Sequence, residues 1–145
     1  MRKFLLSSAA LFMLAAPAAA SDYDVITYSP TSDYGTVPAC DTPAVLRSIA
    51  NRFAYQDAHI VYSGVTIASI SGVRQRAYKP ARGGFIDRRF CGATAWLSNG
   101  RRSEVVYMID GPWTGFAGFG YHVQSCLPGR DPYHVYDASC RSLRP

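Results

Sequence analysis

FIDRRFCGATAWLSNGRRSEVVYMID, Phe85 to Asp110, is the stretch whose reading decides the fold. Asn99-Gly100 sits between two runs rich in β-branched, aromatic and small apolar residues. That dipeptide tolerates positive φ at both central positions, as a type I′ hairpin requires. The reading is therefore a strand over Phe85–Leu97, a tight turn at Ser98–Arg101 and a returning strand over Ser103–Asp110. Period two puts Cys91, Ala93, Ala95 and Leu97 on one face, and Phe90, Thr94 and Trp96 on the other. The alanines let another element approach closely, so Cys91's face is expected to carry a helix.

That helix is readable upstream. Asp41-Thr42-Pro43 offers side-chain acceptors for free amides and a proline suited to a first turn. Val45, Leu46, Ile49, Ala50 and Phe53 then form one apolar stripe, predicting a helix from about Pro43 to Ala58. Ile60–Ser71 reads as a strand from its β-branched content, and Arg74–Gly84 as a loop or a long strand end. Gly111–Gly120 is too glycine-rich for a strand interior, Phe119–Cys126 is a fourth strand, and Leu127 onward is a tail. Short connections favour an antiparallel meander. The fold class expected is α+β: an N-terminal helix packed on a four-stranded antiparallel meander, stabilised by disulfides.

The chain has 145 residues, 48% of them hydrophobic, and a net charge of +5. Arg2 and Lys3, the apolar run Phe4–Ala16 and Ala18-Ala19-Ala20 have the form of a signal peptide cleaved near Ala20. The domain organisation expected is a signal peptide at 1–20, an irregular acidic arm at 21–39 and a single α+β domain with a C-terminal tail at 40–145. No later apolar run is long enough to span a membrane. The protein is expected in the periplasm or secreted. Cys40, Cys91, Cys126 and Cys140 lack the close spacing of a metal site and fit disulfides. Cys40 precedes the helix, so a Cys40–Cys91 bridge would pin the helix start to the sheet. Cys126–Cys140 would pin the tail to the fourth strand.

Chemistry is sparse. His59, His122 and His134 have no partners at metal-ligand spacing. There is no nucleophile elbow or P-loop, and the cysteines are spoken for. Gly115-Phe-Ala-Gly118-Phe-Gly120 lacks the following helix that a phosphate cradle needs. The best catalytic constellation is Asp131, Tyr133, His134 and Tyr136, with His122. Against it stands the plainer reading of a tethered tail whose aromatics cover the sheet. No enzyme activity, cofactor or metal is expected.

The sharper feature is basic. Arg74, Arg76, Lys79, Arg82, Arg88 and Arg89 fall within sixteen residues, opposed only by Asp87. Arginine's planar fork suits phosphate and carboxylate groups. Export argues against nucleic acid, which leaves an anionic glycan, a lipid surface or an envelope protein. The plainer readings are a solvated strand edge, or an acidic arm (Asp22, Asp24, Asp33, Asp41) folded back on the arginines. Trp113 and Phe116, with Phe119, form either an exposed interface or a core cap. Arg88 and Arg89 are adjacent in a strand and must face opposite ways. Arg89, in phase with Cys91, is expected to be structural.

The stretch Arg88–Gly100, the returning Val105–Ile109, Gly115-Phe-Ala-Gly118, Cys126 and the ending His134-Val-Tyr-Asp137 with Cys140–Pro145 together resemble a family of small exported bacterial proteins without an assigned activity. The resemblance covers most of the chain from Cys40 and implies an exported disulfide domain. It carries over no catalytic residue. The helix-then-meander order is also similar to cystatin-like folds, though the Gln-x-Val-x-Gly inhibitory hairpin is absent, and fold likeness licenses no function. The function expected is a non-enzymatic binding or accessory domain of the bacterial cell envelope. The alternative is a small ligand-binding cone or enzyme with a pocket between helix and sheet, using Tyr107, Tyr121 or His122.

Overall fold

The computed structural model describes residues 37–81 and 86–145. The signal segment, the arm before Val37, Arg82 and Phe85 lie outside the described residues. Helix α1 spans Pro43–Gln56. Strands β1 (Ile67–Lys79), β2 (Asp87–Leu97), β3 (Arg102–Gly111) and β4 (His122–Cys126) form one sheet in the order β1-β2-β3-β4, with every neighbouring pair antiparallel. This is the α+β meander the alternation pointed to.

The helix-facing core holds Val45 and Ile49 of α1 against Cys91, Ala95, Val105 and Tyr107, all fully buried or nearly so. Ala93 and Ala95 leave the room that lets α1 lie close to β2. Tyr107 spends its hydroxyl by donating to the Cys40 carbonyl at 2.8 Å, which ties the centre of the sheet to the chain entering α1. The Cys40–Cys91 bridge closes the same corner, with Cα atoms 5.9 Å apart. Cys126 and Cys140 pair as expected, at 5.8 Å. Val37, at the end of the expected arm, is also buried in this core.

Four local expectations are corrected. Thr42 stands at the N-cap, but neither it nor Asp41 caps with a side chain. The Thr42 carbonyl instead accepts from Val45 and Leu46 N–H. The helix does not pass into a strand at Ile60. It ends in a five-residue π turn, Asp57–Val61, stopped by Tyr62 in the left-handed region. The cause is Asp57, whose buried carboxylate accepts from the Ser63 hydroxyl and the Gly64 N–H and turns the chain there. Strand β1 therefore starts at Ile67 and takes in Arg74, Arg76 and Lys79 as its long end.

The β2–β3 turn is not type I′. Only Gly100 has positive φ. Its N–H donates to Leu97 O, and Leu97 N–H donates to Arg101 O, both at 2.9 Å. This is a three-residue turn closed by a left-handed glycine, the next most common hairpin solution. Finally, β4 begins at His122 rather than Phe119, because Gly118 and Gly120 both adopt positive φ and interrupt extended pairing.

The second face of the sheet is not open along its whole length. Residues 127–145 return across it, and Leu143 and Cys140 bury against Phe90, Val106, Met108 and Cys126, with Tyr136 beside them. The tail thus finishes a second, smaller core.

Candidate functional site

Register fixes what shares the outer face. Arg74 pairs with Gly92, Ala77 with Phe90 and Lys79 with Arg88. Across β3, Trp96 pairs with Arg102, Thr94 with Glu104 and Arg88 with Asp110. Residues directly opposite in an antiparallel pair lie on one face. Arg74, Lys79, Arg88 and Arg102 therefore stand on the side away from α1, in line with Phe90, Thr94 and Trp96.

Arg76 joins them by lying across Gly92. A Cβ at that glycine would come within 2.5 Å of Arg76 Nε. The guanidinium of Arg76 reaches Glu104 at 2.6 Å, and Arg144 from the tail reaches the other carboxylate oxygen at 3.0 Å. Arg144's hydrogen bond, then the charges of Arg144, Arg76 and Arg74, hold the Glu104 carboxyl below its ordinary range against an opposing effect of burial. Beside this pair of bridges, Arg102 lies over the Trp96 ring at 5.1 Å, and the Trp96 indole N–H donates to Ser71 Oγ at 3.3 Å. Lys79 sits 4.9 Å over Phe90.

Arg89 goes the other way. Its guanidinium donates to Val37 O at 3.1 Å and to Gln75, and lies 4.8 Å over Tyr78. Asp87 is buried, accepts the Ala81 N–H at 2.7 Å and braces the β1–β2 connection. Neither residue belongs to the outer cluster.

The loop between β3 and β4 projects. Phe116 is 92% exposed, Phe119 70% and Trp113 58%, so the core-cap alternative fails. It leaves the sheet at the end where Lys79, Arg88 and Asp110 form the last outer row.

The residues of the catalytic alternative do not converge. Asp131 uses its carbonyl for His134 N–H and its carboxylate for Tyr136 N–H, as a turn brace, and Tyr133 is exposed. His122 accepts from Arg52, at 3.1 Å. Burial first, and then the Arg52 charge, push its pKa below the ordinary value. His59 meets the Tyr55 carbonyl and stacks on the Tyr55 ring. Among the described residues no three His, Cys, Asp or Glu side chains are placed to hold a metal ion, and no helix is long and apolar enough to cross a membrane. A cleft of about 420 Å³ does lie between the end of α1 and the sheet, lined by Phe53, Gln56, Asp57, Leu97, Arg101 and Arg130 among others. Tyr107, Tyr121 and His122, the groups expected in such a pocket, do not line it.

Sequence reasoning placed Arg74, Arg76, Lys79 and Arg88 in the cluster but missed Arg102, Glu104 and Arg144. The first two follow from the hairpin register once Trp96 is given to the outer face. Arg144 had no signal, because the tail that brings it has no periodicity. Searches against protein families, curated proteins and solved structures return no match for this chain.

Proposed function

We propose that the protein is a non-enzymatic, exported binding domain of the bacterial cell envelope that presents the outer face of its sheet to an anionic component. The observation that carries this reading is the one-sided charge. Among the described residues, Arg74, Arg76, Lys79, Arg88, Arg102 and Arg144 meet only Glu104 and Asp110 on that face. Guanidinium groups beside an exposed Trp96 offer forked donors and a flat apolar plate, which suits carboxylate- or phosphate-bearing glycan chains and acidic surfaces. The disulfides fit an oxidising compartment. The helix-across-meander arrangement is one that cystatin-like domains share. We keep that likeness as a proposal about architecture alone.

The test is binding of the purified protein to a soluble anionic glycan, polygalacturonate, and crosslinking to partners in envelope extract, both across a range of salt. Exposed charges are screened over about 8 Å at physiological salt, so binding weakens steadily as salt rises. The triple variant Arg74→Gln, Arg76→Gln, Arg88→Gln binds less tightly at low salt and responds less to salt. Full retention of binding by that variant sinks the reading and leaves the arginines as a solvated edge.

A further inference from the structure

We propose that the Gly111–Gly120 loop inserts its aromatic side chains into the surface of a lipid bilayer bearing anionic headgroups, with Lys79 and Arg88 meeting the phosphates beside it. This deepens the proposed function and rests on it in taking the partner to be a component of the envelope.

The loop is built for display. Phe116, Phe119 and Trp113 project, and Ile86, just before β2 at the same end of the sheet, is 41% exposed. Gly115-Phe-Ala-Gly-Phe-Gly120 carries no polar side chain at all. The backbone satisfies itself: Gly118 N–H donates to Gly115 O and Phe119 N–H to Phe116 O, both at 3.1 Å, while Thr114 Oγ1 donates to Asp110 O at 2.6 Å. Gly115 admits the tight closure, since a Cβ there would lie 1.9 Å from Phe119 O. The aromatics are therefore held outward by a folded turn whose amides are partly paired before it meets anything.

The chemistry favours a bilayer over a protein pocket. A protein partner gains register from directional hydrogen bonds, and Gly115–Gly120 has no side chain that makes one; the Trp113 indole N–H beside it suits headgroup depth, where tryptophan is enriched. A bilayer asks only for apolar area, aromatic rings at headgroup depth and cations at its rim. The rim is present, because the end row of the outer face is Lys79–Arg88–Asp110, directly behind the loop.

The experiment uses the protein in the form its host cell yields, with Trp96→Phe so that Trp113 is the only tryptophan. It is mixed with vesicles of phosphatidylcholine alone and with added phosphatidylglycerol. Insertion predicts co-sedimentation with the anionic vesicles, a blue shift of Trp113 emission and quenching by brominated acyl chains. Phe116→Ser with Phe119→Ser lowers partitioning about tenfold or more and leaves the melting temperature unchanged, since both rings are already in water. Absence of Trp113 quenching overturns the proposal, as does unchanged partitioning of the double variant. So does loss of a crosslinked envelope protein in that variant with vesicle binding intact, which makes the loop a protein-docking element. If insertion fails while salt-sensitive polygalacturonate binding persists, only this inference falls. If insertion persists while the protein with Trp96 intact shows no polygalacturonate binding, only the outer-face reading falls.

Discussion

Replacing Arg89 by Met separates the structural arginine from its neighbours. The side chain donates to the carbonyl of buried Val37 at 3.1 Å and lies over Tyr78 at 4.8 Å. A charged hydrogen bond to a carbonyl left unpaired by the substitution is worth about 1.5–3 kcal/mol, and the stacking adds about 0.5–1 kcal/mol. The bond to Gln75 is exposed, so water replaces it at little cost. Working the other way, Arg89 Nε is buried without a partner, and its removal returns roughly 1 kcal/mol. The net loss is about 2 kcal/mol, or roughly 8–10 °C of melting temperature for a domain of this size.

The triple variant of Arg74, Arg76 and Arg88 provides the contrast. Arg74 and Arg88 are exposed, and the Arg76–Glu104 pair has side chains 31% and 38% exposed. Solvent screening keeps its loss under about 1 kcal/mol. Calorimetric melting of both variants, with binding measured on the same samples, checks this. The reasoning is refuted if Arg89→Met melts within a degree or two of the parent, or if the triple variant is the less stable of the two.

Tyr107→Phe strands the Cys40 carbonyl in the core and lowers stability by about 1–2 kcal/mol in denaturant unfolding. Burial raises the pKa values of Tyr78, Tyr107 and Tyr121 above 10. The folded chain then holds protons that the unfolded chain releases, so stability is intact below pH 10 and falls as pH rises beyond it, which melting across alkaline pH reads directly. Glu104→Gln costs under about 1 kcal/mol, since its partners are a third exposed, yet it strengthens polygalacturonate binding at low salt by freeing Arg76 and Arg144. Glu104's own contribution, from a pKa lowered from 4.5, is present above that pH and is lost as the solution is acidified through the folded value. Removing Cys126–Cys140, a loop of 14 residues, costs about 3 kcal/mol, and removing Cys40–Cys91, a loop of 51, about 4 kcal/mol. Limited proteolysis separates the two, because only the former exposes the tail while α1 stays protected.

The readable parts of the fold share one property: their signal is short and periodic. Cys91, Ala93, Ala95 and Leu97 alternate with larger outward residues, so the two faces of β2 follow from spacing, the small alanines mark the helix-facing one, and Cys40 ahead of the α1 stripe is then expected beside Cys91. The parts that did not read depend on contacts that periodicity does not encode. Asp57 bends the helix exit by binding Ser63 and Gly64, whereas Ile60 and Val61 look locally like strand. Asn99 stays out of the left-handed region because the turn adopts a three-residue solution. Tail residue Arg144 reaches Glu104 across 40 positions, through a segment whose 3-10 turns leave no pattern.

The division of labour between the two faces explains why the cluster is arginine and why it sits where it does. On the helix-facing side of the described strands, charge is confined to Arg89 and Asp87, and each is consumed by a backbone partner. Stability is generated there, by burial of the α1 stripe on β2 and β3. The outer side holds only a small core under Leu143, so it can carry like charges without disturbing the main packing. Glu104, shared between Arg76 and Arg144, offsets part of their repulsion and at the same time fastens the tail. That coupling has a consequence. An anion that competes with Glu104 for Arg144 loosens the tail's last contact, while the Cys126–Cys140 bridge keeps the tail attached. Hydrogen exchange at the 3-10 segment Ala138–Leu143 should therefore rise on polygalacturonate binding, while exchange in α1 stays constant. Unchanged exchange in the tail at saturating glycan would mean that Arg144 takes no part in the contact.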